Sequence, residues 1–294
     1  MKKQLVLLLA LAIVALAAVP AAAYVRSRGE AVDGSPGSEL FWCVRSLTFV
    51  TNENGSKAAG AQASITAVGQ GFEAWNGSGC SDWTFLDGGT TARTDIGYDS
   101  TQGATDNINL VVWRETSCSS AAPAGDACFH DGGCNNKYNC WEDSPGNIAL
   151  TTTTYDKKTG QIYDADMELN GADFVFTTVD SPPCTRQPPQ PPPMPGCVAT
   201  DVHNTVTHES GHVFGLDHNT TDPTVTMYPS AELGDLNKRT PHPDDIAGLC
   251  AIYPKGAVTQ GCERGCGCSA GGAPLTGLFA LLLLAPWSLR RRNR

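Results

Sequence analysis

His208-Glu209-Ser210-Gly211-His212-Val213-Phe214-Gly215-Leu216-Asp217-His218 is the stretch that decides how this 294-residue chain is read. Residues four apart share a helical face, so His208 and His212 can reach one metal ion while Glu209 flanks it. Gly215 is placed to end that helix, because glycine enters the left-handed conformation at little cost. The chain can then bend back and carry His218 to the same ion. Three imidazoles and one water make an open tetrahedral site, the form zinc takes where it does chemistry. The plain alternative is a set of ordinary surface or capping histidines. Three His, one Glu and one Gly at this spacing arise by chance in a chain of this length on the order of one time in 10^5.

The surrounding chain supplies a frame for such a site. Arg45 to Val50 reads as a strand, and Ala61 to Trp75 as a helix with Ile65, Val68, Phe72 and Trp75 at three- and four-residue intervals. Asn107 to Arg114, Asn147 to Tyr155 and Gln161 to Leu169 read as further strands, the last following a turn at Lys158-Thr159-Gly160. Ser117 to Pro145 and the proline-rich Asp180 to Pro195 read as loops. A second helix is expected from about Asp201 to Phe214 and a third from Pro243 to Tyr253. Strands and one helix first, then two helices, argue for an α+β domain.

Nine residues beyond His218 stands Met227, within Thr226-Met227-Tyr228-Pro229. An HExxHxxGxxH motif followed by a methionine turn is the metzincin signature. Within that clan the chain most resembles the matrixins, the family of the matrix metalloproteinases. The resemblance rests on His208 to His218 with Leu216-Asp217 before the last ligand, and on Met227-Tyr228-Pro229. It extends to Asp244-Asp245-Ile246-Ala247-Gly248, to Ile252-Tyr253, to Leu47-Thr48-Phe49 and to Phe72-Glu73-Ala74-Trp75. Asn219 stands where astacins carry Glu and adamalysins Asp, which disfavours both relatives.

The resemblance implies a metzincin zincin fold: a twisted, mostly parallel sheet with one antiparallel edge strand, an active-site helix and a small C-terminal subdomain. It implies a zinc-dependent endopeptidase acting on proteins or peptides. One catalytic Zn2+ would be held by His208, His212 and His218, with Glu209 moving the proton of the attacking water. Met227 would pack beneath the metal, and Tyr228 and Pro229 would wall the pocket beside the scissile bond. Family members often place a second tyrosine two residues after that proline, where this chain has Ala231. Asp164 and Asp166 are similar to the acidic positions that bind calcium (Ca2+) in the family; a solvated edge strand is the other reading of the pair. Two family features are missing: a PRCGxPD-like cysteine switch between Tyr24 and Leu40, and the histidine-rich loop for a second, structural zinc. Of the remaining histidines, only His130 lies in the matching loop, and His203 sits about 140° around the helix from His208.

The two ends point to export. Lys2 and Lys3, an apolar run from Leu5 to Ala18 and then Ala21-Ala22-Ala23 read as a signal peptide over residues 1–23, cleaved after Ala23. Residues 24–40 form a short N-terminal segment, 41–255 the catalytic domain and 256–272 a Gly/Cys linker. An apolar segment with an arginine-rich end fills 273–294. The Gly/Cys run from Gly261 to Cys268, the apolar segment and Arg290, Arg291, Arg292 and Arg294 together look like bacterial MYXO-CTERM sorting tails. Attachment to the membrane or cell surface through this tail is the expectation, with a plain single-span anchor as the alternative. Without the charged residues of the two ends, 13 basic and 29 acidic residues remain, a net of −16. Such a surface repels nucleic acid. A monomer is expected.

Twelve cysteines suit an oxidising compartment. Nine precede the tail, so at least one is free or pairs outside the catalytic domain. Cys184 and Cys197 bracket the proline-rich loop and are the expected pair. Cys118, Cys128, Cys134 and Cys140 are expected to staple the loop around His130, with a closed zinc site built from three of them and His130 as the competitor. Cys43 could cap the metal or form a disulfide. The rival functional reading is a catalytically idle surface adhesin or binding module on a metzincin frame. The intact Glu209 speaks against it.

Overall fold

The computed structural model describes residues 23–30, 35–101, 107–126, 128, 133–134, 136–188 and 196–262. The expected leader up to Ala22, the tail from Glu263 onward and His130 lie outside the described residues. Among the described residues, no helix is long and apolar enough to cross a membrane.

The chain opens with short strands β1 (Val25–Arg26), β2 (Arg28–Glu30) and β3 (Pro36–Glu39). Then follow β4 (Ser46–Asn52), α1 (Ala61–Glu73), β5 (Thr84–Thr91) and β6 (Asn109–Arg114). A four-residue helix α2 (Cys118–Ala121) leads through a disulfide-stapled loop to β7 (Ala149–Tyr155) and β8 (Ile162–Asn170). Beyond these lie β9 (Phe176–Thr177), β10 (Thr200–Asp201), α3 (Val202–Val213), β11 (Leu216–Asp217) and α4 (Pro243–Ile252).

The main sheet has the order β5-β4-β6-β8-β7. Four of its strands run parallel, and β7 closes one edge antiparallel to β8, with Thr151 opposite Met167. The fold is the mostly parallel sheet with an antiparallel edge that the sequence led us to expect. Covered strands read as continuous apolar runs, and β6 is buried from Leu110 through Arg114. In α1 the buried stripe falls on Ser64, Ala67, Val68, Gly71 and Phe72, while Ile65 stays half-buried. Phe72 stacks on Phe49 of β4 at 4.0 Å between ring centroids. Helix α3 approaches α1 so closely that a Cβ at Gly71 would stand 2.7 Å from Val206. The Trp75 indole donates to the Thr207 carbonyl at 2.9 Å, so its buried N–H is satisfied. These contacts set the active-site helix against the sheet.

Among the described residues, five disulfides join Cys43–Cys262, Cys80–Cys250, Cys118–Cys140, Cys128–Cys134 and Cys184–Cys197. The proline-rich loop is closed as expected, and the four loop cysteines form two staples. Cys43 is neither free nor a metal cap: its partner comes from beyond residue 255. Residues 256–262, the described start of the Gly/Cys stretch, are held on the domain: Cys262 pairs with Cys43, Arg45 donates to the Ala257 carbonyl and Gly256 N–H donates to Asp82. Replacing Cys262 with Ser should cost about 2–4 kcal/mol, because the bridge closes a loop spanning most of the chain. The urea midpoint should fall and the slope should steepen, because the unfolded chain expands once the crosslink is gone. An unmoved midpoint would show that this bridge adds no stability.

Candidate active site

Helix α3 begins on Asp201, whose Oδ1 accepts from the Asn204 amide at 2.7 Å as an N-cap. Arg239 pairs with the same carboxylate at 2.6 Å and holds the cap in place. The helix ends at Val213, and Gly215 turns the chain at φ 107°. A Cβ there would stand 2.7 Å from the Leu40 carbonyl, so glycine is required by both conformation and space. The returning segment β11 pairs antiparallel with β1, Val25 opposite Asp217, while Ser27 N–H donates to Gly215 O. The N-terminal segment is thus part of the site. It holds the loop that carries His218.

The three histidines converge. His218 Nε2 lies 3.2 Å from His208 Nε2 and 3.1 Å from His212 Nε2, and all three atoms fall within 4.8 Å of one another. Tetrahedral zinc with Zn–N of about 2.0–2.1 Å needs ligand nitrogens roughly 3.3 Å apart, which this donor set meets with small adjustments. His208 Nδ1 faces the Thr226 carbonyl at 2.6 Å and His212 Nδ1 the Leu216 carbonyl at 2.8 Å. A carbonyl only accepts, so each Nδ1 carries the proton and each Nε2 presents a lone pair inward. Burial is the largest influence on all three rings and pulls their pKa values down; Lys238 adds to it at His208 and His212 at His218. Neutral imidazole is the form that binds metal. The residues fit zinc.

Glu209 is buried beside this cluster, and its Oε2 accepts from the Thr151 hydroxyl at 2.7 Å. Burial pushes the carboxyl up, and the Thr151 bond pulls it back. Thr151 belongs to the edge strand β7, so one contact ties the strand to the carboxylate. Met227, 1% exposed, lies beneath α3, where a Cβ at Gly211 would come within 2.3 Å of its sulfur. The turn around it is held by α4: Asp245 Oδ2 accepts from Thr226 N–H at 2.7 Å, and His242 N–H donates to Thr226 Oγ1 at 2.8 Å.

A cleft of about 490 Å³ opens along β7 and α3, with Leu150, Glu209, His218 and Pro229 among its walls. Of the expected wall pair, Pro229 lines this cleft beside Ser230 and Ala231, whereas Tyr228 is not among its lining residues. The turn Val225–Tyr228 instead aims the Tyr228 carbonyl at Lys238 Nζ. Lys238 also lines the cleft, and burial pushes its ammonium down to about 8 against the pull of Asp235, Glu209 and Asp245. The roles of Thr151, Lys238, Asp245 and the β1 segment are not legible in the sequence. A threonine in a run of four and a lysine between Asn237 and Arg239 carry no motif. Asp245 stands in the sequence only as part of a helix pattern.

His203 lies elsewhere, as its helical angle required: it lines a separate groove with Phe49, Glu73 and Arg239. Asp164 and Asp166 are not on a solvated edge, because β8 lies inside the sheet; they are 2% and 1% exposed. Asp166 accepts from the amides of Gly97 and Leu110 at 2.6 and 2.8 Å, while Asp164 Oδ2 has no hydrogen-bond partner among the described residues. Burial first, then the neighbouring Asp166 charge, holds the Asp164 carboxyl well above its ordinary range. The fold therefore favours the protonated acid. Its contribution is intact below the ordinary carboxylate pKa and is lost as pH rises through the raised value. Asp164→Asn should raise Tm by a few degrees at pH 8 in chelator and change it little at pH 4. An equal shift at both pH values would contradict this.

Taken with the sheet and its antiparallel edge, three converging imidazoles on an HExxH helix and its return loop define a zinc metalloprotease. The matrixin family model matches residues 42–254, and the chain belongs to that family. No curated protein matches the chain significantly. Among solved structures, a chain from the GM1-bound form of the ECX AB5 holotoxin matches at 12% identity and a TM-score of 0.37. That match covers 79% of this chain and 89% of the other, and at such a score it carries no argument.

Proposed function

We propose that this matrixin is an exported endopeptidase that cleaves extended peptide segments, with Glu209 as its proton carrier. The observation that carries the reading is the position of Glu209: beside the three convergent Nε2 atoms and bonded to the edge strand. Zinc held by His208, His212 and His218 would supply the Lewis acid that polarises a carbonyl and lowers the pKa of a bound water to about 7. Glu209 takes the proton from that attacking water and delivers it to the nitrogen of the leaving amine. The Thr151 hydroxyl keeps the receiving carboxylate turned toward the cleft. The outer edge of β7, which pairs with no further strand among the described residues, offers main-chain hydrogen bonds to a substrate strand, which suits protein or peptide segments of varied sequence. Met227 and Asp245 keep the floor of the site rigid. Digestion of a denatured protein mixture with and without chelator, with cleavage sites read by mass spectrometry, tests the proposal. Chelator-sensitive internal cuts are expected; their absence from zinc-loaded protein would sink it.

Two further parts of the reading are proposals of the same kind. Calcium would bind at Asp164 and Asp166, raising the Tm of the wild type and not that of Asp164→Asn. Export and surface attachment rest on the two apolar ends and on five disulfides, which suit an oxidising compartment. Deleting residues from Arg264 onward keeps the Cys43–Cys262 bridge and should release active enzyme into the medium. Continued cell association of the truncated chain would show that something other than the tail retains it.

A further inference from the structure

We propose that Lys238 makes the cleft beside the metal site selective for a substrate side chain that carries a carboxylate; this deepens the peptidase reading and rests on it. Lys238 lies in the 3-10 turn Asn237–Arg239, and its main-chain N–H donates to Asn204 Oδ1 on α3 at 2.7 Å. The backbone is therefore pinned to the active-site helix. The residue is only 6% exposed, yet it lines the cleft together with Thr205, His208, Pro229 and Ala231. Its position reaches the chemistry: Nζ stands 3.4 Å from His208 Nδ1 and donates to the Tyr228 carbonyl.

An ammonium has three N–H donors and no acceptor. The Tyr228 carbonyl takes one of them. His208 Nδ1 is committed to Thr226 and offers no lone pair to a second. Among the described residues Lys238 enters no ion pair; Asp235, Glu209 and Asp245 act on it only through space. A buried charge without a contacting counter-charge is costly, and Lys238 is one of the residues that line the cleft. A glutamate or aspartate side chain entering that space supplies the missing partner in a charge-assisted bond. Ala231 contributes only a methyl group to the wall, which leaves room for a side chain of that length. An apolar side chain would leave the ammonium desolvated and unpaired, so the same lysine that attracts an acid rejects leucine.

Two measurements test this. In the first, zinc-loaded protein digests a peptide pool, and residues on both sides of each cut are scored. Glu or Asp should exceed Gln or Asn at least tenfold at one flanking position. Lys238→Met should erase that preference, and Lys238→Arg should keep it. The second needs no turnover: acetyl-Ala-Ala-Glu-Ala-Ala amide and its Gln counterpart are titrated into the wild type at pH 7. The acidic peptide should bind at least tenfold more tightly, and equally with Gln in Lys238→Met. If the methionine variant does not fold, the wild-type contrast decides alone. Equal affinities, or no measurable binding of either peptide, overturn the proposal. Internal cuts with no preference for Glu or Asp at either flanking position, and a pattern that Lys238→Met leaves unchanged, overturn it while leaving the peptidase reading intact. A binding preference without any cleavage supports Lys238 and sinks the peptidase reading.

Discussion

Glu209→Gln should lower kcat/KM for peptide cleavage by at least about a thousandfold, within the range for loss of a general acid–base group. The substitution keeps the shape of the side chain and its acceptor oxygen for Thr151, and it removes only the ability to take a proton. Glu209 is not one of the three converging donors, so zinc content measured after dialysis should stay at one per chain. Its burial also predicts that the amide is tolerated, because the fold already disfavours the charged carboxylate. Thermal stability should therefore hold or rise slightly. Activity within tenfold of the parent would remove Glu209 from the mechanism, whatever the metal content.

His218→Ala should act in the opposite way, through the metal. Two imidazoles and water hold zinc poorly, so affinity should fall by a hundredfold or more, beyond the loss typical of an outer-shell partner. Cleavage should drop to background as zinc leaves on dialysis. The fold should survive, since the loop is held by pairing of β11 with β1 and by the Gly215 turn, neither of which uses the imidazole. Circular dichroism and zinc analysis on the same sample separate the two effects. Full zinc after dialysis would mean that the third ligand is another residue.

The amino-acid sequence alone carried the set of converging histidines, because α-helical spacing is local geometry. Positions 208 and 212 share a face wherever a helix forms, and glycine at 215 is the residue that lets the chain turn back. The elements flanking the site were legible for the same reason: the stripe of α1 and the apolar run of β6 are short-range patterns. Strand β5 was not, since Thr84–Thr91 reads TFLDGGTT and most of its side chains are exposed, leaving no alternation to detect. Pairings across long separations were equally silent. Cys43 finds Cys262 219 residues away, and Val25 meets Asp217, through packing that no local pattern encodes.

The surroundings of the chemistry were likewise decided only by the tertiary structure. Thr151 reaches Glu209 from the far side of the cleft, Asp245 steadies the methionine turn from the last helix, and Lys238 is buried where its neighbours in sequence suggest a solvated loop. Asp164 and Asp166 look like polar residues on an edge strand until the order β5-β4-β6-β8-β7 places them inside the sheet. Sequence determines which groups are available and how they repeat along the chain. Burial and the approach of distant segments set the charge, partners and accessibility of those groups, because desolvation and hydrogen bonding depend on what lies nearby in space.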